Sequence, residues 1–270
     1  MPENEAEIRR GASSGHQGKQ RCGLFVTCLV DMMRPQIGFA TLNLLQAAGC
    51  EVAVPPRQTC CGQPAFNAGE RETVHALALQ LLQDFEAFEV VVLPSGSCAG
   101  MIRVHYAEVF ASEPQLLARW QALAPRVFEL SEFLQRFAPD LALPLQRDPE
   151  APRHITYHDS CSGLRELDIA AQPRALLGKI PALSLTEMPD CRACCGFGGT
   201  FAIKFGAISS AIADEKCTNI AASGAQAVVL GDLGCMLHIE GRLRRRGDSQ
   251  TRVLHLAQVL AGKAGPGDAA

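Results

Sequence analysis

The cysteines are the residues whose type and spacing point most directly to chemistry. The chain has twelve in 270 residues, and eight of them form two sets of the same order: a single cysteine, an adjacent pair followed by glycine, and a last single cysteine. The first spacing is 32 residues in one set and 33 in the other, and the second is 37 and 40. The sets are Cys28, Cys60, Cys61 and Cys98, then Cys161, Cys194, Cys195 and Cys235. This repetition predicts a tandem duplication.

Four thiolates per set suit an iron–sulfur cluster, because [4Fe–4S] centres are commonly held by four cysteines. Adjacent cysteines fit a multi-iron cluster better than a single metal ion, since neighbouring thiolates can bind different irons. Glycine after each pair lets the backbone pass close to bulky sulfur ligands. We therefore predict that these eight cysteines hold one or two iron–sulfur clusters of the [4Fe–4S] type.

Two other chemistries stay open at this point. Four thiolates also make structural zinc sites, although zinc ribbons use two Cys-x-x-Cys knuckles and this sequence has no such duplicated knuckle. A disulfide between adjacent cysteines would be strained, and strained disulfides are the labile, catalytic ones. The competing hypotheses are a non-catalytic zinc or thiol redox sensor and a thiol–disulfide reductase.

Four further residues near the sets could take part in the chemistry. Cys191 is a possible extra ligand, but the first half has Arg57 at that offset from its pair. His238 is a possible nitrogen ligand or a solvated side chain on a helix face. His158 and Asp159 could act as acid–base groups on a substrate hydroxyl. The simpler interpretation of these last two is a strand end whose polar residues cap the next helix.

Two other features have structural interpretations. Cys22, Cys50 and Cys217 lie outside the repeated pattern, and we expect them to pack in the core as small apolar side chains. The basic run Arg242 to Arg246 is interpreted as a helix end whose charges complement the helix dipole. Docking of an acidic partner is the alternative.

Composition excludes several classes of function. The chain is 47% apolar and 20% charged, with a net charge of −3. The charge of the whole chain therefore gives no electrostatic attraction to nucleic acid. Residues 1–20 are polar and do not form a signal peptide, and no apolar run is long enough to span a bilayer. We expect a cytoplasmic protein, where thiols are reduced and bind metal rather than form disulfides.

The elements between the cysteines alternate strand with helix. Apolar residues at helical spacing predict helices, and short β-branched runs predict buried strands. Helices are predicted at 37–48, 70–88, 172–177 and 207–222, and strands at 51–54, 90–93, 183–188 and 227–230. Each single cysteine falls at the carboxyl end of a strand, which is where open α/β sheets collect ligands.

The predicted fold class is α/β, a tandem duplication of a small parallel-sheet, Rossmann-like module with cysteines at the carboxyl ends of the strands. The first repeat is predicted at 21–138 and the second at 154–261. The Pro-rich segment 139–153 is the predicted linker between them. Residues 1–20 and 262–270 are predicted to be flexible tails.

Around these cysteines the sequence resembles the cysteine-rich domain found in heterodisulfide reductases and in the iron–sulfur subunits of glycolate oxidases. It is more closely similar to the lactate-utilization protein A family. The segments that carry the likeness are 25–35, 58–70 and 94–110 in the first half, and 157–161, 194–209 and 231–245 in the second. The heterodisulfide reductase pattern ends in Cys-x-x-Cys, whereas this sequence has Met101 and His238 at the later positions.

The resemblance implies an iron–sulfur electron-transfer subunit of a soluble, multi-subunit L-lactate dehydrogenase that converts lactate to pyruvate. It implies two partners, an iron–sulfur subunit and a third subunit, and an isolated chain that is poorly active. The alternatives are a glycolate oxidase-type or a heterodisulfide reductase-type redox subunit.

Overall fold

The computed structural model describes residues 19–144 and 150–265. Residues 1–18, 145–149 and 266–270 lie outside this range, and they hold most of the two predicted tails and the middle of the predicted linker. The described parts of the linker, 139–144 and 150–153, contain no helix or strand. No helix in the described ranges has both the length and the apolar character needed to cross a membrane.

In the described ranges, eight strands form two parallel sheets of four. The first sheet contains β1 (Arg21–Leu24), β2 (Glu51–Ala53), β3 (Val90–Leu93) and β4 (Val127–Glu129). The second contains β5 (His154–Tyr157), β6 (Ser184–Leu185), β7 (Ala227–Leu230) and β8 (Arg252–His255). The strand orders, β2-β1-β3-β4 and β6-β5-β7-β8, are the same arrangement twice. The predicted α/β fold with an internal duplication is confirmed.

Helices separate the strands in both repeats. The first repeat contains α1 (Cys28–Met33), α2 (Pro35–Ala47), α3 (Gln63–Ala68), α4 (Arg71–Phe85), α5 (Gly96–Gly100), a π-helical turn (Met101–His105), α6 (Tyr106–Val109), α7 (Pro114–Leu123), a 3₁₀ turn (Ala124–Arg126) and α8 (Leu130–Phe137). The second contains α9 (Cys161–Leu167), α10 (Ala171–Leu177), α11 (Thr200–Lys204), α12 (Gly206–Ala222), α13 (Leu233–Arg245) and α14 (Leu256–Leu260).

Two predicted elements are shorter than expected. The helix predicted at 70–88 ends at Phe85, because Arg126 binds the carbonyls of Glu86 and Phe88 and turns the chain into β3. The strand predicted at 183–188 keeps only the two residues of β6, an edge strand with a partner on one side. Beyond it the Glu187 carboxylate leaves the sheet to bind Arg174.

The two repeats share one hydrophobic core. The largest group of buried apolar residues in the described chain includes Leu45 and Phe133 from the first repeat and Val228 and Leu256 from the second. Helix α2 packs on α14, and α8 packs on α10. Because α2 corresponds to α10 and α8 to α14, the same helix–helix contact occurs twice across the boundary between the repeats. Burial of apolar surface therefore holds the repeats together as well as stabilising each one.

The last strand of each sheet ends in a polar residue that reaches toward the other repeat. The Glu129 carboxylate accepts the Ser131 N–H at 2.7 Å, which caps α8, and lies against the backbone at Gly231. The His255 Nδ1 accepts the Ala257 N–H, and its Nε2 lies 3.1 Å from the Pro94 carbonyl. Burial raises the pKa of Glu129 to about 7.

The repeats touch backbone to backbone where α5 meets α9. A Cβ added at Gly96 would lie 3.0 Å from the Gly163 Cα and 3.1 Å from the Ser160 Oγ. The Gly96 N–H also donates to the Gly231 carbonyl at 3.4 Å. A glycine is therefore needed here because a neighbouring backbone lies too close for a side chain.

We predict that Gly96→Ala lowers the free energy of unfolding by about 1–3 kcal/mol, the usual cost of an overpacked contact. The matched control is Gly241→Ala, inside α13, where an added Cβ meets no atom within 4 Å. That control should raise stability by roughly 0.5–1 kcal/mol, because alanine favours the helix. Urea unfolding of the three proteins measures both effects. Equal midpoints for Gly96→Ala and wild type would show that the contact is not tight.

Candidate functional site

The four repeated cysteines of the first half come together at the carboxyl ends of neighbouring strands. Cys28 begins α1 just after β1, and Cys98 lies in α5 just after β3, which pairs directly with β1. Cys60 and Cys61 arrive from the loop between β2 and α3. Their thiols are close enough to act on one another's pKa in the order Cys28, Cys60, Cys61 and Cys98.

The second half repeats this arrangement. Cys161 begins α9 after β5, and Cys235 lies in the first turn of α13 after β7, the neighbour of β5. Cys194 and Cys195 come from the loop that leads to α11. The thiols again form a continuous series, Cys161 to Cys194 to Cys195 to Cys235. Each predicted set of four is thus gathered at one place.

Glycine makes the turn after each cysteine pair possible. Gly62 and Gly196 have φ angles of 85° and 89°, in the left-handed region that favours glycine. A Cβ at Gly196 would lie 2.6 Å from the Ser209 carbonyl. The turn directs the Gly62 N–H to the Cys60 Sγ at 3.4 Å and the Gly196 N–H to the Cys194 Sγ at 3.2 Å.

These contacts favour a thiolate at the first cysteine of each pair. The pKa of Cys60 is lowered to about 3, chiefly by the hydrogen bond from Cys28 and then by that from Cys61. The pKa of Cys194 is lowered to about 2 by the same contacts from Cys161 and Cys195. Both shifts favour the thiolate at this position, and thiolates are the form that binds metals.

Each set lines a cavity, and the two cavities adjoin. The cavity at the first set has a volume of about 310 Å³ and the cavity at the second about 270 Å³. The residues lining both are Gln63, Asn67, Ser97, Phe197, Gly199 and Asp232. A group of thiols beside a cavity is the donor set and the space that an iron–sulfur cluster requires, so the residues fit this cofactor.

Asp232 fixes the wall between the cavities. It caps α13 by accepting the Gly234 N–H at 3.2 Å. Its other oxygen crosses to the first repeat, where it accepts the Ser97 N–H at 2.9 Å and the Ser95 hydroxyl at 3.3 Å. Ser95 is the equivalent cap of α5, since its hydroxyl accepts the Cys98 N–H. The two cysteine-bearing helices are thus tied at their starts.

The interpretation of His158 and Asp159 as helix caps is wrong. The buried Asp159 carboxylate binds the Arg174 guanidinium through two contacts of 2.7 and 3.0 Å. His158 is fully buried, and neither ring nitrogen has a hydrogen-bond partner in the described chain. Its ring lies beside the second cysteine set, where one ring nitrogen and the sulfurs of Cys195 and Cys235 are all within 4.8 Å of one another.

Burial and charge keep His158 neutral. Burial lowers its pKa to about 3, and the nearby Lys216 ammonium adds to the effect. Lys216 is itself buried, with its Nζ donating to the carbonyl of Asp190 at 2.7 Å and that of Cys191 at 3.4 Å. The sequence analysis did not identify Lys216, because a lysine in an amphipathic helix is usually exposed; the signal was its register with the apolar residues Ala213 and Ile220.

The other candidate residues have structural partners. The Cys191 Sγ lies 3.8 Å from an Arg174 nitrogen, and the His238 Nε2 lies 3.2 Å from the Ser209 hydroxyl, which donates to the Gly196 carbonyl. Their roles as ligands stay predictions. Cys22, Cys50 and Cys217 are buried among apolar residues, as expected.

Arginines of the basic run at 242–246 form contacts within the chain. Arg242 and Arg246 both pair with Asp214, and Arg244 donates to the carbonyls of Asp248 and Thr251. The run closes the last turn of α13, which confirms the helix-end interpretation. Asp214 is one carboxylate beside four arginines, so docking of an acidic partner stays a prediction.

The fold and the two thiol sets define a protein with a duplicated cysteine-rich domain. The family model for this domain, CCG, matches residues 22–103 and 155–240. Within that class, the chain belongs to the lactate utilization protein A family. It is 39% identical to lactate utilization protein A 2 of Bacillus cereus (strain 03BB102), over 89% of this chain and 98% of that protein. It is 40% identical to lactate utilization protein A of Macrococcus caseolyticus (strain JCSC5402), over 89% and 96%.

A solved structure shares the fold. A hypothetical protein from Helicobacter pylori superposes with a TM-score of 0.66 at 14% identity, over 100% of this chain. This chain spans 56% of the length of that protein. The fold is thus shared with a protein of low sequence identity.

We predict that Arg174→Met lowers the free energy of unfolding by about 3–5 kcal/mol, because it leaves the buried Asp159 carboxylate without its partner. The matched control is Arg71→Met, which breaks a pair with Glu108 whose side chains are 70% and 54% exposed. That variant should change stability by less than about 1 kcal/mol. Denaturant unfolding compares the two. Similar small losses in both would mean that water reaches Asp159.

Proposed function

We propose that this chain is the iron–sulfur electron-transfer subunit of a multi-subunit system that oxidises L-lactate to pyruvate. The observation that carries the proposal is the pair of four-thiol sets beside adjoining cavities. The names of its relatives supply the connection with lactate utilization. Cytoplasmic location follows from the same role.

The eight repeated cysteines would hold the clusters, four in each repeat. A bound iron–sulfur cluster supplies reversible one-electron transfer. The chain's own residues prepare the sites: the thiolates of Cys60 and Cys194 provide negative charge, and the Gly62 and Gly196 turns bring backbone N–H groups to the sulfurs. Burial of Cys61 and Cys195 limits access of water.

The composition of the cavities favours electron transfer over oxidation of the substrate by this chain. A 2-hydroxy acid carries a carboxylate, which proteins usually bind with arginine or lysine. Among the described residues that line the two cavities there is no arginine or lysine. Lactate would then bind to a partner subunit, and the isolated chain would oxidise it poorly. The partners are an iron–sulfur subunit and a third subunit.

We predict that wild-type protein purified without oxygen carries about eight irons with matching sulfide, the content of two four-iron clusters. Cys61→Ser and Cys195→Ser should each lose the iron of their own repeat, because a serine hydroxyl is a poor replacement for a thiolate ligand. The matched control is Cys217→Ser, a buried cysteine of α12 outside both sets. Iron, sulfide and visible absorption are measured on all four proteins.

The control should keep the wild-type iron content. Unchanged iron in both Cys61→Ser and Cys195→Ser would contradict the ligand assignment. Zinc without sulfide in the wild type would contradict the electron-transfer proposal and favour the zinc or thiol sensor hypothesis.

We also predict that L-lactate reduces the clusters only when the partner subunits are present. The chain is isolated anaerobically from its own host, once with its co-purifying subunits and once alone, and its visible absorption is followed. Addition of L-lactate should bleach the complex and leave the isolated chain unchanged. Glycolate serves as the comparison substrate. Faster bleaching by glycolate would assign the complex to the glycolate oxidase type.

A further inference from the structure

Two titratable side chains outside the thiol sets line the second cavity. His105 belongs to the first repeat and Glu166 to the second, and they line this cavity together with Cys161 and Cys194. The His105 Nε2 lies 3.5 Å from the Glu166 Oε2. The pair thus crosses the boundary between the repeats at the second thiol site. Binding of a cluster by the cysteines alone gives this pair no role.

The contact leaves one carboxylate oxygen unsatisfied. The Glu166 Oε2 is buried, and within the described residues it has no hydrogen-bond partner. The 3.5 Å contact with the His105 Nε2 is therefore not a hydrogen bond. A proton on that nitrogen would allow a charge-assisted hydrogen bond to the carboxylate, which is stronger than a bond between neutral groups. The pair thus has a site for one added proton.

The backbone of the first repeat is adapted to this pair. A Cβ added at Gly100, in the cysteine-bearing helix α5, would clash with the Glu166 Oε2. The next residues form the π-helical turn Met101–His105, and π turns are rare and are frequently found at functional sites. Phe66, which also lines the cavity, packs on the His105 ring with 5.1 Å between centroids. Gly100 therefore leaves room for the carboxylate, and Phe66 supports the imidazole.

The first site has no counterpart of this pair. Glu166 follows the first cysteine of its set by five residues, where the first repeat has the half-exposed Met33. Gly100 corresponds to Leu237, since each lies two residues after the last cysteine of its set. Helix α13 continues past Leu237 without a π turn. Among the described residues that line the first cavity there is no histidine or glutamate, so the pair distinguishes the second site from the first.

The other charged groups around the pair are either engaged or exposed. Arg103, in the same π-helical turn, donates to Glu132 at 2.7 Å. Asp232, in the cavity wall, accepts two backbone N–H groups. The remaining titratable groups of the second cavity are the four thiols of the set. The charged residues that follow or flank the pair in sequence are exposed: Glu108, Arg165 and Asp168. Of all these described groups, only Glu166 has a buried oxygen that lacks a hydrogen bond.

We propose that His105 and Glu166 together take up one proton when the second site gains an electron, and release it when the site is oxidised. This inference rests on the proposed function, and it adds no ligand to the cluster. The electron comes from the partner subunits. The proton comes from solvent, to which the side chains of His105 and Glu166 are 32% and 26% exposed.

The proton balances the charge of the electron. The imidazole becomes an imidazolium beside the carboxylate, so one negative and one positive charge enter the second site together. A positive charge close to the site lowers the free-energy cost of adding the electron. Histidine suits this role, because it is the side chain whose charge ordinarily changes close to neutral pH.

The test is the pH dependence of the midpoint potentials, measured by redox titration of the anaerobically purified protein between about pH 6 and 8. Proton uptake favours reduction at low pH. The potential of the second site should therefore fall by about 59 mV for each tenfold decrease in proton concentration, the value for one proton per electron. The potential of the first site should stay constant. Cys61→Ser, which retains the second site, and Cys195→Ser, which retains the first, assign the two potentials.

Variants of the pair identify the proton acceptor. His105→Gln should remove the pH dependence of the second site and retain its iron and sulfide, because His105 is not a cluster ligand. Glu166→Gln should weaken the dependence, since the imidazolium loses its carboxylate, and Glu166→Asp should restore it. The matched control is His75→Gln. His75 also pairs with a glutamate, Glu113, at 2.6 Å and packs on a phenylalanine, but it lines neither cavity, so the wild-type dependence should remain.

The outcomes separate this inference from the proposed function. Iron and sulfide at both sites with two potentials that do not change with pH would overturn the role of the pair and leave the electron-transfer function standing. A slope that survives both His105→Gln and Glu166→Gln would also overturn it, because the proton would then bind elsewhere. Loss of iron from the second site in both variants would make the pair part of the cluster site and not a proton acceptor. No iron at either site of the wild type would overturn both proposals. If His105→Gln does not fold, the wild-type and Glu166→Gln slopes decide the question.

Discussion

The arrangement of both sites depends on the packing of the carboxyl ends of the two sheets against each other. The Asp232 carboxylate crosses from the second repeat to the Ser97 N–H, and the Gly96 N–H crosses to the Gly231 carbonyl. Each contact lies close in sequence to the start of a cysteine-bearing helix. Parallel sheets collect ligands at this edge, so joining the repeats here places the two thiol sets beside one shared wall.

The close approach restricts which residues can occupy the boundary. Gly96 meets the backbone at Gly163, and Gly231 lies against Glu129 and the Tyr157 hydroxyl. A side chain larger than hydrogen at Gly96 would separate the repeats and change the relation between the cavities. The shared hydrophobic core then provides the free energy that holds this geometry. The close contacts at the sheet ends thus set the relative position of the two repeats. The shared hydrophobic core supplies the free energy that keeps them together.

Much of this architecture could be predicted from the sequence because it depends on local patterns. Cysteine spacing revealed the duplication, and the apolar runs at 90–93 and 227–230 predicted the central strands at their observed bounds. Edge strands were less predictable, since β6 has one partner and the Glu187 side chain binds elsewhere. The Asp159–Arg174 pair and the position of Lys216 depend on contacts between distant segments, which periodicity does not encode.

The two repeats are more alike in their backbone structure than in the polarity of their buried side chains. Buried residues of α4 and α12 occupy the same register, but Leu81 in the first repeat corresponds to Lys216 in the second. Phe25 likewise corresponds to His158. Buried polar groups cost stability unless they are paired or bind a ligand. Lys216 is satisfied by two backbone carbonyls, and Asp159 by Arg174.

His158 differs from Lys216 and Asp159 in keeping two unpaired nitrogens in the described chain. An apolar residue at that position is compatible with the fold, as Phe25 demonstrates in the same backbone setting. The free energy lost by burying the imidazole is therefore not needed for folding. One ring nitrogen and the sulfurs of Cys195 and Cys235 all lie within 4.8 Å of one another. Burial and the charge of Lys216 both favour the neutral ring.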